Sequence, residues 1–229
     1  MKFTEYLNVS SERMLESANT VQPKDREELK KIVGETIRKF GYDCNLNFID
    51  TSLITDMSFL FKDSDFNGDI SNWDVSKVEN MHGMFYGSRF NGDISNWDVS
   101  KVENMHGMFY GSQFNGVLSY WNVRKVKDMS YMFGWSSFNG DISRWNVRNV
   151  RKMESMFAWN FVFNCDISKW DVHNVRNMAD MFNTAKVFRR DLSGWDVRNI
   201  KRYKYMKDMF MFCPLWHLES MHPKFNLVD

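Results

Sequence analysis

The chain has 229 residues, 30 Lys and Arg against 29 Asp and Glu for a formal net charge of +1, and 43% hydrophobic residues with abundant Trp, Phe and Met. That supplies one continuous core and leaves the chain as a whole neither polycationic nor polyanionic. No run of about 18 apolar residues is present, which argues against a membrane-spanning helix, and Cys44, Cys165 and Cys213 are odd in number, far apart and without zinc spacing, so they read as reduced thiols.

The start, "MKFTEYLNVSSERM", lacks the apolar segment of a secretory signal, so a cytoplasmic protein is expected. Residues 1–22 read either as a weak amphipathic helix or as a mobile arm. After Pro23, Leu29, Ile32, Val33, Ile37 and Phe40 form one helical face, Asp25 with Glu28 resembles a capping box, and Gly41 stops the run. This helix has one apolar side, suited to closing the end of a stack. The chain thus divides into 1–41 (arm and capping helix), 42–212 (repeats) and 213–229 (a C-terminal cap).

The repeat is plain from Phe66 to Ser88, "FNGDISNWDVSKVENMHGMFYGS", which returns letter for letter from Phe90 to Ser112. A shift of 24 residues, later 25, aligns Phe66, Phe90, Phe114, Phe138, Phe163 and Phe188. Seven more columns stay apolar, headed by Ile70, Trp73, Val75, Val78, Met81, Met84 and Phe85. A unit this short cannot bury its own apolar face, so like residues must stack in ladders from turn to turn. Leu46, Ile49, Ile54, Met57, Leu60 and Phe61 make a degenerate first turn, and three extra residues, "RYK", interrupt the last. In "ISNWDV" the pattern L-x-x-L-x-L predicts a short strand with Asn72, Asp74 and Ser76 outward. In "VENMHGMFYG" the spacing of Val78, Met81, Met84 and Phe85 predicts one or two helical turns, with Ser76 and Glu79 as a capping box and Gly87 as the stop. The expected fold is therefore α/β: a leucine-rich-repeat-type solenoid of about seven 24–25-residue turns, each a short parallel strand plus a short helix, behind an N-terminal capping helix.

The motif "FNGDISNWDVS" followed by "MxxMF", repeated over roughly 46–210, resembles the BspA-like leucine-rich-repeat surface proteins, in their Mycoplasma-lipoprotein-type branch. That resemblance implies a non-catalytic solenoid used in adhesion or binding, often at a cell surface. Where such repeats carry Ser, Asn and Thr, the later turns here carry Arg and Lys.

Several polar columns invite a functional reading. Asp69, Asp93, Asp141, Asp166 and Asp191 beside Asn-Gly corners resemble calcium-binding turns, but they read as acceptors for neighbouring backbone amides, as does the column headed by Asp74. His82 and His106 stand in equivalent positions without a third ligand, so no metal and no cofactor is assigned. No nucleophile elbow, phosphate-cradling loop or zinc motif occurs, and no single place breaks the repeat as a catalytic constellation would, so an enzyme is not expected.

Charge does break the pattern. Residues 66–113 hold three Lys or Arg against six Asp or Glu, a balance of −3, whereas 114–212 hold 17 against nine, a balance of +8. Tyr120, Arg124, Arg144, Arg148, Lys169, His173 and Arg198 fall on the outward face of successive turns, flanked by Lys127, Arg151, Arg176 and Lys201. Stacked about 4.8 Å apart, they make a positive stripe that reads as a solvated face, as a site for an acidic protein surface, or as a track for a nucleic-acid backbone. Trp135 and Trp159 replace Gly87 and Gly111, either as interface anchors or as covers for the corner where the period lengthens.

The expected function is that of a non-enzymatic binding protein, most simply a monomer, engaging a protein partner, with inhibition of another factor in a mobile-element or phage setting as a special case. An RNA- or DNA-binding protein using the basic stripe is the alternative, and a surface adhesin without its export signal another. A membrane and a small-molecule substrate are not expected partners.

Overall fold

A computed structural model describes residues 20–227. The first 19 residues, most of the N-terminal arm, lie outside the described residues. Helix α1 spans Arg26–Phe40. It starts where the Asp25 carboxylate accepts the Glu28 N–H at 2.9 Å, and it stops at Gly41, whose φ of 89° a side chain would resist. Leu29, Ile32 and Val33 bury one face against the first turn, and Arg26 Nε donates to the Ser58 carbonyl at 2.7 Å. Val21 pairs beside that turn, its N–H to Phe48 O and its carbonyl to Asp50 N.

The apolar columns are buried along the repeats, from Leu46, Ile49, Ile54, Met57 and Phe61 of the degenerate first turn to Met209 and Phe210 of the last, whereas at the two ends Tyr42 is exposed and Met206 half-buried. The rings stack along the chain: Phe66 to Phe90 at 6.1 Å between centroids, Phe90 to Phe114 at 6.3 Å, Phe85 to Phe109 at 5.5 Å, and Trp145 to Trp170 at 6.5 Å. Each indole has a second task. Trp73, Trp97, Trp121, Trp145, Trp170 and Trp195 each donate Nε1–H to a main-chain carbonyl of the preceding turn, at 2.9–3.3 Å. This column thus needs a large ring carrying a donor, which Phe cannot supply.

Both arms of the turn differ from the sequence expectation. Among the described residues α1 is the only α-helix, and pairing between turns consists of isolated parallel bridges such as Asn80 to Asn104 and Asn104 to Asp128. The strand expected in "ISNWDV" is instead two tight turns, closed by Trp73 N–H to Ile70 O and Val78 N–H to Val75 O. The alternation of outward and inward side chains is kept because each turn swings Trp73 and Val75 back into the core. Ser76 caps no helix; its N–H donates to the Asp74 carboxylate at 2.9 Å.

The helix expected in "VENMHGMFYG" is also absent. Two residues of this arm sit in the left-handed region in every turn: the column Phe59, Gly83, Gly107, Tyr131, Ser155, Asp180, Asp208 and the column Asp63, Gly87, Gly111, Trp135, Trp159, Thr184, Phe212, with φ between 52° and 64°. A left-handed residue reverses the local coil, so no i to i−4 ladder can run through it. The amides of Met81, Gly83, Phe85 and Gly87 instead donate forward to Asn104, His106, Met108 and Tyr110 carbonyls at 2.7–2.9 Å, while Met84, Tyr86 and Ser88 close tight turns within the arm. Apolar residues three and four apart face inward here as they would on a helix, and this is why their spacing misleads.

At the far end the chain makes 3₁₀ turns at Tyr203–Tyr205, Pro214–His217 and Glu219–Met221. The tail covers the last turn, with Met221 O accepting Leu192 N–H and His222 stacked on Phe210 at 4.4 Å.

Replacing Trp145 by Phe should cost about 1–2 kcal/mol, because the Leu118 carbonyl loses its donor, and by Ala about 3–5 kcal/mol through the cavity left in the ladder. Arg144→Ala on the surface should change little. Chemical denaturation of the three variants checks the order.

Candidate functional site

Three polar residues per turn set the corners from which the surface is built. Asp69, Asp74 and Asn80 each accept the amide two residues on, at Ser71, Ser76 and His82, at 2.9, 2.9 and 3.1 Å. Their equivalents repeat this: Asp93 to Ser95, Asp141 to Ser143, Asp166 to Ser168 and Asp191 to Ser193. Such Asx bonds satisfy an amide that the tight turn leaves open. The Asp carboxyls are held below their ordinary range, in Asp93, Asp141 and Asp166 by the backbone and hydroxyl donors of the Ser two places on. The Asp columns thus act as the structural acceptors their spacing predicts.

His82 and His106 lie with ring centroids 4.7 Å apart, and His106 Nδ1 is 3.8 Å from Asp128 Oδ1. Burial, and then the neighbouring His106, push the His82 pKa down. Burial alone would raise Asp128, but the neighbouring His106 and the bonds from Ser130 and Lys152 hold it well below the usual carboxylate value. Among the described residues no three His, Cys, Asp or Glu side chains are placed to hold a metal ion. The three thiols are free, and burial raises the pKa of each, that of Cys213 to about 11.

The basic stripe is assembled on the two-turn arm. Tyr120 is 82% exposed, and Arg124, Arg144, Arg148, Lys169 and Arg198 are exposed with it, while His173 is half-buried. Lys127, Arg151, Arg176 and Lys201 stand exposed one short step along the same arm. Behind them runs a ladder the sequence reading missed: Asn149, Asn174 and Asn199 donate side-chain N–H to the Arg124, Arg148 and His173 carbonyls of the preceding turn at 2.8, 2.8 and 2.5 Å. These clamps fix the main chain from which the cations project. The stripe also contains acids. Arg198 Nε bonds Asp196 at 2.9 Å, His173 Nδ1 bonds Asp171 at 2.6 Å, Arg148 lies 3.9 Å from Asp171, and Lys127 bonds Glu103 at 2.6 Å. Arg124, Arg144, Arg151, Lys169, Arg176 and Lys201 have no ion pair among the described residues.

Trp135 and Trp159 occupy the second left-handed column of the other arm, at φ 55° and 58°. Their rings stack at 4.9 Å and 16°, and they are 53% and 40% exposed. Phe161 and Val162 extend the exposed apolar surface, and Phe161 meets Trp159 edge-on at 6.3 Å. The lengthened corner has polar bonds of its own. It is closed from within by the fully buried Asn160, which donates to Phe133 O and Phe138 O and accepts the amides of Val162 and Phe163. The stripe and the tryptophans therefore lie on different arms of the turn.

Residues 28–137 and 112–215 match the family described as "Mycoplasma protein of unknown function, DUF285". The chain belongs to this family. No curated protein and no solved structure matches it. As a DUF285 chain it carries the repeat of a family whose function is open, so the reading of its surface rests on its own residues. No helix among the described residues is long and apolar enough to cross a membrane.

The lowered carboxyl pKa values carry a pH signature. A carboxylate whose folded pKa lies below its unfolded one contributes stability above the unfolded value and loses it as pH falls through the folded value. The melting temperature should therefore fall steeply below about pH 4, where unfolded-state carboxylates protonate. The lowered His82 pKa likewise gives a smaller loss starting as pH drops through about 6.5, and His82→Asn should remove that first step alone. Thermal melts between pH 7 and 3 check both.

Proposed function

We propose that this chain is a non-catalytic repeat scaffold, its stacked turns forming a BspA-like solenoid, that binds a protein partner through its later turns. The carrying observation is the tryptophan pair. Two bulky residues stand exposed at left-handed positions where the two near-identical copies keep Gly87 and Gly111, at a backbone cost of about 1–2 kcal/mol each. The polar groups of the corner are bonded through Asn160, and strain and exposure together favour a recognition role. Large aromatics of this kind are the usual anchors of protein interfaces. The mixed charge of the stripe favours the same partner class: Asp171 and Asp196 sit among the arginines, whereas a phosphate backbone rewards cations without carboxylates between them. In the first turns the identical copies serve as spacer.

Trp135→Gly and Trp159→Gly restore the residue of the two near-identical copies. Each should leave stability within about 1 kcal/mol, strain relief offsetting the lost ring contact, while weakening partner binding by about 2 kcal/mol or more. Arg124→Glu, Arg148→Glu and Arg198→Glu together should abolish binding and leave the fold intact. The measurement is capture from a lysate with and without nuclease, followed by isotherms of the captured species at several salt concentrations. Nuclease-sensitive capture with a steep log-linear salt dependence would instead assign the stripe to nucleic acid.

A further inference from the structure

The arms starting at Met57, Met81, Met105, Met129, Met153 and Met178 obey one rule: four amides, at the first, third, fifth and seventh residues allowing for register, donate forward to the next turn. In the last of these Asp180, Phe182 and Thr184 reach the carbonyls of Lys207, Met209 and Met211 at 2.9, 2.8 and 2.7 Å. The seventh arm, starting at Met206, has no turn beyond it. The Met206 N–H bends back to Tyr203 O, but among the described residues the amides of Asp208, Phe210 and Phe212 have no acceptor. Asp208 and Phe212 keep the same left-handed φ, 55° and 58°, as their counterparts in the inner arms. The edge is therefore shaped like every paired arm before it. The tail takes the Leu192 N–H and the ring face of Phe210, and it leaves Phe212 64% exposed and Tyr203 59% exposed.

We propose that this edge docks an acidic segment of a partner polypeptide, which adds one more arm in parallel and accepts the amides of Asp208, Phe210 and Phe212. Donors two residues apart are met in every inner arm by carbonyls two residues apart on a neighbour of the same turned conformation, so a segment that takes up this conformation can add to the open edge as a strand adds to a sheet. Charge selects the segment: residues 201–212 hold Lys201, Arg202, Lys204 and Lys207 against one acid, Asp208, which lies 3.7 Å from Lys207 Nζ. Tyr203 and Phe212 supply apolar contact for its side chains. A second copy of this chain is a poorer occupant. The register-matched acceptors on its first turn are the carbonyls of Ser58, Leu60 and Lys62, and Ser58 O is already taken by Arg26 of α1. The site shares only Lys201 with the basic stripe and none of the exposed tryptophans.

Amide hydrogen exchange followed by NMR on the full chain tests this, with a short capped peptide alternating Glu and Leu as probe and its Lys-Leu counterpart as control. In the free protein the amides of Asp208, Phe210 and Phe212 should exchange at least about tenfold faster than those of Asp180, Phe182 and Thr184. Saturating acidic peptide should slow the three about tenfold or more, and the basic peptide should not. Lys204→Glu with Lys207→Glu should remove the protection while Asp180, Phe182 and Thr184 stay slow, which shows that the fold persists. Arg124→Glu with Arg148→Glu should leave the protection in place, separating this edge from the stripe. Three amides already slow in the free chain, or unmoved by the acidic peptide, would overturn the proposal. Protection that rises with protein concentration alone would give the edge to a second copy and overturn it as well.

Discussion

A buried backbone amide must find an acceptor, and a chain that turns every few residues cannot find one where helices and sheets do. Most features of this molecule follow from that constraint. In the two-turn arm the amide after each corner goes to an Asp or Asn two residues back, and the turn closes on a carbonyl three residues back. In the left-handed arm alternate amides go to the next turn and the others close local turns. The indole donors reach back to the turn before. Stacked phenyl rings and methionines supply the cohesion, but the polar bonds set the register in which they stack, because a slip of one residue would orphan the forward row in every turn.

How much of this was legible in the sequence divides along the same line. The apolar columns were, since burial follows periodicity and each column is apolar in every copy. The Asp columns were also legible as amide acceptors. The local conformation was not, because Met81, Met84 and Phe85 sit at helical spacing while Gly83 and Gly87 are the only hint of left-handed backbone, and the later copies erase it with Tyr131, Trp135, Ser155 and Trp159. Identity at a position does not report φ once neighbours on both sides hold the main chain. Trp135 and Trp159 stand out in the sequence because they break a glycine run, but their exposure does not, and the buried bonds of Asn160 beside them have no sequence signature. Phe212 belongs to the same column and was hidden by the three-residue insertion before Met206. Asn149, Asn174 and Asn199 looked like ordinary surface residues, because their partners are carbonyls in another turn.

The two halves of the chain divide the labour. The near-identical turns keep glycine at both left-handed positions and balance their surface toward acid. The later turns hold the same frame while exchanging outward residues for arginine, lysine and tryptophan. Change is confined to positions where a side chain leaves the stack, so new surface chemistry comes at local cost and the ladders of Phe, Trp and Met run through unaltered.

The forward bonds have one more consequence, for length. Because every turn presents the same acceptors behind and the same donors ahead, removing Phe90 to Gln113 would bring Arg89 to Phe114 and offer the Met81 row the carbonyls that the Met105 row uses now. Adding a copy works the same way. The molecule is modular along its axis, and a pair of turns identical from Phe66 to Ser88 and from Phe90 to Ser112 is where gain or loss of a whole unit disturbs nothing but the distance between the helix-capped end and the basic one.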